Sequence, residues 1–98
     1  MAFRLDFHPE AALDFEEAIS WFEQQRLGLG RDLFEEFLEL ERRLEENPYQ
    51  FTIVLEEIRR ANFFRFPYSV FFSIEHNAVI IYAVFHQKRN PVEWENRL

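Results

Sequence analysis

Along residues 2–8 apolar and polar side chains alternate, which places Phe3, Leu5 and Phe7 on one face and predicts a short strand. Pro9 follows, and a residue without an N–H suits the first turn of a helix. Glu10 adds negative charge at that positive end. Over residues 10–25 the period changes, with Leu13 or Ala12, Phe15, Ala18, Ile19 and Phe22 recurring at helical spacing. Gly28-Leu29-Gly30 interrupts the pattern and predicts a turn. A second helix is predicted over residues 31–46, where Leu33, Phe37, Leu40 and Leu44 form a stripe. Asn47-Pro48 ends it. Two amphipathic helices joined by a short turn make an antiparallel hairpin.

The remainder is rich in aromatic and β-branched residues, and its pattern predicts three strands: one within residues 54–64, then Tyr68–Glu75 and Ala78–His86. His76-Asn77 is the predicted turn between the last two, because Asn tolerates a positive φ. That turn pairs Glu75 with Ala78, Ser69 with Val84 and Pro67 with His86. One face then carries Val70, Phe72, Ile74, Val79, Ile81, Ala83 and Phe85, on which Phe15, Ile19, Phe22 and the second helix's stripe are expected to pack. The other carries Ser69, Phe71, Ser73, Ile80, Tyr82, Val84 and His86. It is too apolar to lie open to water, so the segment from Pro91 onward or another protein is expected to cover it. The order β-α-α-β-β-β gives an α+β fold, a helical hairpin on one face of a small, mainly antiparallel sheet. The first strand crosses the hairpin to rejoin that sheet, by a right-handed connection if it runs parallel to its neighbour.

Length bounds this to a single domain over residues 1–98, too short for a second core. Thirteen Phe compensate for the small size, since each buried aromatic removes about 150–250 Å² from water. The absence of cysteine excludes disulfides, thiolate catalysis and Cys-based metal sites. Residues 1–9 read as a strand, not a signal peptide, and the longest uncharged run, 77–87, is too short to span a bilayer. A cytoplasmic protein with no membrane partner is expected. There is no Gly-rich phosphate loop, no nucleophile elbow and no calcium loop. His8, His76 and His86 are scattered, so neither metal nor cofactor is expected.

The net charge of −7 is unevenly spread. Residues 1–57 set five Arg against fifteen Asp or Glu, while residues 58–98 set six basic residues against three Glu. The halves therefore carry −10 and +3. This reads either as one face for a basic partner and another for an anion, or as the solvated carboxylates that helices often carry. Strongly acidic helices disfavour sequence-specific DNA binding.

The candidate chemistry lies in His86-Gln87-Lys88-Arg89 at the end of the last strand, with Arg59, Arg60 and Arg65 before it and Tyr68 opening the next strand. Neighbouring strands lie about 4.8 Å apart, so these groups can meet in one patch. His86 or Tyr68 could move a proton at an RNA 2′-hydroxyl or leaving group, while Arg89 and Lys88 stabilise charge on the phosphorane. The same residues also read as ordinary surface.

The element order and several phrases resemble the RelE/ParE toxin superfamily from about Phe3 to Trp94. They are Ala18-Ile19-Ser20-Trp21-Phe22-Glu23-Gln24-Gln25-Arg26-Leu27-Gly28-Leu29-Gly30, Asn47-Pro48, Ile58-Arg59-Arg60-Ala61, Arg65-Phe66-Pro67-Tyr68-Ser69-Val70-Phe71-Phe72 and His86-Gln87-Lys88-Arg89-Asn90-Pro91. The resemblance implies the toxin of a type II toxin–antitoxin pair, neutralised by a cognate antitoxin whose extended or helical segment wraps it. RelE-like members cut mRNA on the ribosome, and ParE-like members block DNA gyrase. Arg89, next to Lys88, sits where RelE-like toxins place a basic residue after the last strand, and Arg59 and Arg60 can stand for the basic residues of the earlier strand. The arginine that commonly follows the strand-opening Tyr is Ser69 here, and Trp94 stands near the place of the C-terminal tyrosine. The phrasing leans to the ParE-like, plasmid-stabilisation branch. There, Arg59, Arg60, Arg65, Phe71, Tyr82 and Trp94 are expected to meet the antitoxin or target.

Overall fold

The structure, a computed structural model, describes residues 2–89, 93 and 96–98. The chain runs β1 (Arg4–Phe7), α1 (Pro9–Gln25), α2 (Leu29–Glu46), a 3₁₀ turn (Pro48–Gln50), then β2 (Thr52–Leu55), β3 (Ile58–Asn62), β4 (Tyr68–Glu75) and β5 (Ala78–His86). The five strands form one sheet in the order β1-β5-β4-β3-β2, with β1 parallel to β5 and the other pairs antiparallel. The helical hairpin thus carries the chain from one sheet edge to the other, and the last four strands meander back.

Each helix starts where local chemistry dictates. Pro9 opens α1, and His8 caps it by accepting a hydrogen bond from the Glu10 N–H at Nδ1, 3.1 Å away. α2 begins at Leu29, two residues before the expected start, because Gly28 takes the left-handed conformation (φ +90°) and turns the chain there. Glu23 braces the turn by accepting from the Gly28 and Gly30 N–H groups.

The core lies between hairpin and sheet. Phe22, Leu33, Phe37, Leu40 and Leu44 are buried against Val70, Phe72, Val79 and Ile81, with Phe15, Ile19, Leu5 and Phe3 packed around them. Leu13, offered as an alternative core position to Ala12, faces solvent. Phe37 centres an aromatic cluster, 4.3 Å from the Phe15 ring and 5.8 Å from Phe7.

Three sequence expectations change. The region expected to hold one strand holds two, β2 and β3, joined at Glu56-Glu57 with Glu56 at φ +49°. A glutamate seldom adopts that conformation, so no residue type marks the turn. At the predicted His76-Asn77 turn the positive φ falls on His76 (+56°), not Asn77. The β4–β5 register holds from Glu75–Ala78 to Phe72–Ile81, but a bulge there leaves Tyr82 unpaired, so Phe71 meets Ala83, Ser69 meets Phe85 and Tyr68 meets His86. Beyond the bulge every β5 side chain lies on the face opposite to the one expected, while those of β4 keep theirs. Val84 therefore joins the core under the helices, while Ala83 and Phe85 join Ile58 and Phe71 on the far face.

Candidate functional site

The bulge decides which residues meet. It turns His86 to the helix side, where its ring stands edge-on to Tyr68 at 5.3 Å. Tyr68 also leans on Phe22, 5.7 Å away on α1. Asp14, Glu17, Ala18 and Trp21, at helical spacing on α1, form the opposite wall of an open groove of about 310 Å³ that Val84 and Arg89 complete. Sequence reasoning brought Tyr68, His86 and Arg89 together, and the structure does so too. It did not find the α1 wall. An available signal was Trp21, a large aromatic that lies off the core stripe among carboxylates.

The groove's proton chemistry is restricted. His86 Nδ1 accepts a hydrogen bond from the Lys88 N–H at 3.0 Å, so the neutral ring carries its proton on Nε2. In that state Nε2 donates and does not take a proton. Burial pushes the Tyr68 phenol above its ordinary value, against the pull of Arg89, so it stays protonated at neutral pH. Arg89 is occupied as well. Its guanidinium pairs with Glu93 at 2.6 Å and lies 3.9 Å above the Phe85 ring.

The other basic residues do not join this patch. Arg59 points to the helix side and donates to the Tyr49 and Phe51 carbonyls at 3.1 and 2.7 Å, tying the 3₁₀ turn to β3. Arg65 pairs with Asp32 at 3.4 Å, and its own N–H donates to Glu36 on α2. Arg60 lies on the far face beside Phe71, exposed. Among the described residues the Arg60 and Lys88 side chains have no ion-pair partner. Phe71 is buried on the far face, where the Tyr82 hydroxyl shares a 3.1 Å hydrogen bond with Ser73. Trp94 lies outside the described residues. Among those described, no three His, Asp or Glu side chains converge to hold a metal ion.

Sequence reasoning also missed the pair that closes the sheet edge. β1 pairs only as far as Ile81, which leaves the outer edge of β5 open beyond it. Asp14 accepts from the Val84 N–H at 3.1 Å, and Arg97 donates to the Tyr82 carbonyl at 3.0 Å. The two side chains, only 8% and 9% exposed, pair at 2.5 Å, and Arg97 also meets Glu10 at 2.7 Å. Burial works against the Arg97 charge, yet its bonds to Asp14 and Glu10 outweigh that and hold its pKa above the ordinary value. Its guanidinium lies 5.0 Å from the Phe85 ring, so together with Arg89 it covers part of the far face.

A family model described as the ParE toxin of the type II toxin–antitoxin system, parDE, matches residues 5–91. The chain belongs to the ParE toxin family. It is accordingly a type II toxin–antitoxin toxin of the RelE/ParE superfamily. Solved structures share the fold at low identity. The chromosomal ParDE toxin–antitoxin system from P. aeruginosa superposes at a TM-score of 0.75 and 15% identity, covering 87% of this chain and 96% of that one. A double arginine-to-alanine mutant of E. coli toxin RelE in the free state superposes at 0.71 and 15%, covering 99% and 94%. No curated protein matches the sequence. The ParE match stops before Arg97, so the guanidinium that seals the β5 edge lies beyond the family's matched segment.

Proposed function

We propose that this ParE-family protein inhibits growth in the cytoplasm by binding DNA gyrase, and that a cognate antitoxin neutralises it, a pairing that suits plasmid stabilisation. The observation that carries this reading is the state of the groove. Of the residues expected at a scissile phosphate, Arg89 is neutralised by Glu93, and Arg59 and Arg65 are bonded elsewhere. Glu17 lines the groove with no partner among the described residues, and a carboxylate repels a phosphodiester. Blocking a protein needs no proton transfer. The test compares purified toxin in a gyrase supercoiling assay and in a translation extract. Supercoiling should fail while the mRNA stays intact.

A second reading, a ribosome-dependent mRNA endoribonuclease, draws on the contact of Tyr68 with His86 beside Lys88, whose side chain has no ion-pair partner among the described residues. Losing one charge-stabilising donor typically slows such a site about a hundredfold or more. His86→Ala and Arg89→Ala would then each abolish toxicity with the fold intact, and wild-type protein would leave cut mRNA. If neither assay responds and expression leaves growth untouched, a non-toxic, antitoxin-binding module is the remaining reading.

A further inference from the structure

The groove has a wall whose chemistry the toxin reading leaves unused. α1 carries Glu10, Asp14, Glu16, Glu17 and Glu23 and not one basic residue. Glu17 is exposed and has no hydrogen-bond or ion-pair partner among the described residues. One turn away Trp21 is 53% exposed, with its ring set edge-on against Phe22 at 4.9 Å. An acceptor-only group beside an open indole face, with the Tyr68 phenol across the groove, suits a flat cation that can stack and donate together. The same helix already holds one such group. The chain's own Arg97 sits between Asp14 and Glu10, near the Phe85 ring. Arg89 does not close the groove to a second cation, because Glu93 balances its charge.

We infer that this groove receives an arginine side chain from a partner protein, with the guanidinium stacked on Trp21 and paired to Glu17. An arginine fits better than a lysine, because a planar, weakly hydrated fork stacks and bonds at once, whereas an ammonium is compact and strongly hydrated. The assignment rests on the protein-binding reading above, but its test needs neither gyrase nor antitoxin.

The probe is a seven-residue acetylated peptide with two arginines among alanines and leucines, titrated into the full chain and followed by NMR. The Trp21 indole N–H and the Ala18 amide should shift saturably. Glu17→Gln, and Trp21→Ala read at Ala18, should each weaken binding about three- to tenfold. Both positions are exposed, so resonances elsewhere should stay in place. The same peptide with citrulline for arginine, isosteric but uncharged, should leave the groove unmoved. Equal binding of the citrulline peptide, or shifts confined to other surfaces, would overturn the assignment. So would a single-stranded RNA oligonucleotide that moves Trp21 when the peptide does not.

Discussion

At the scale of single residues, the most consequential side chain is one that no motif marks. Arg97 neutralises Asp14 where both are nearly excluded from water, and it also satisfies the Tyr82 carbonyl. Removing one partner of a buried pair typically costs about 3–5 kcal/mol, because the other charge stays buried. Asp14 lines the groove, so water can reach it once the guanidinium is gone, and Arg97→Ala should cost roughly 3 kcal/mol, the low end of that range. In a domain of this size that lowers Tm by roughly 12 °C or more. A shift of only a degree or two in thermal unfolding would mean that the pair adds nothing beyond an exposed one. Tyr68 makes a second residue-scale test, through pH. Its folded pKa lies above the unfolded value of about 10. The folded state's advantage is therefore complete below about pH 10 and is lost as pH rises through the folded pKa. Tyr68→Phe should lose less stability than wild type between about pH 9 and 11 in urea midpoints, and parallel losses would remove the phenol from its buried setting. That Tyr68 and His86 meet in one groove was legible because strand-end polar groups stand out. Arg97 was not, since its role depends on where β1 stops pairing, which no local pattern encodes.

Among elements, the two helices pack tightly at Gly30. A Cβ on Gly30 would lie 2.7 Å from the Ile19 carbonyl oxygen, backbone that cannot swing aside. Gly→Ala inside a helix ordinarily stabilises by roughly 0.5–1 kcal/mol. At Gly30 the sign should invert, to a loss of about 1–3 kcal/mol, as overpacking forces α1 and α2 apart. Chemical denaturation of Gly30→Ala checks this, and a gain in stability would show that the hairpin has slack. The helices were readable because their apolar stripes lie opposite dense carboxylates, and both boundaries fell within two residues. The sheet was readable only in part. Val79, Ile81, Ala83 and Phe85 alternate with Ile80, Tyr82 and Val84, so both faces of β5 are apolar. A one-residue slip then leaves no polar residue out of place to reveal it. The bulge at Tyr82 is such a slip, and it decides that His86 looks toward α1. Likewise the Glu56-Glu57 hairpin escaped notice because its turn residues also suit a strand-flanking loop.

For the whole molecule, charge is layered. The two helices hold twelve carboxylates against three arginines, a net −9, and the rest of the chain holds six against eight basic residues, a net +2. The reversal between chain halves was visible in the sequence because the hairpin occupies one half and most of the sheet the other. Which basic residues would be free was not, since Arg59 and Arg65 are consumed by carbonyls and carboxylates that only the fold brings near. This layering sets how stability responds to salt. Like charges crowded on one hairpin repel and oppose the compact state. Raising ionic strength from about 0.01 to 1 M shortens the screening length from about 30 to 3 Å. The same screening weakens Arg31–Glu35, Arg65–Asp32 and the Arg42 pairs with Glu39 and Glu46. Exposed pairs of that kind contribute little, and α1 has no basic residue to form one within itself. The buried Asp14–Arg97 pair is largely insulated from added ions. Repulsion is therefore the larger quantity being screened, and Tm should rise by several degrees as sodium chloride is added. Sodium chloride serves here because strongly excluded salts such as sulfate would raise Tm through apolar burial alone. A Tm that falls across the series would show that the surface ion pairs outweigh the repulsion within the helical layer.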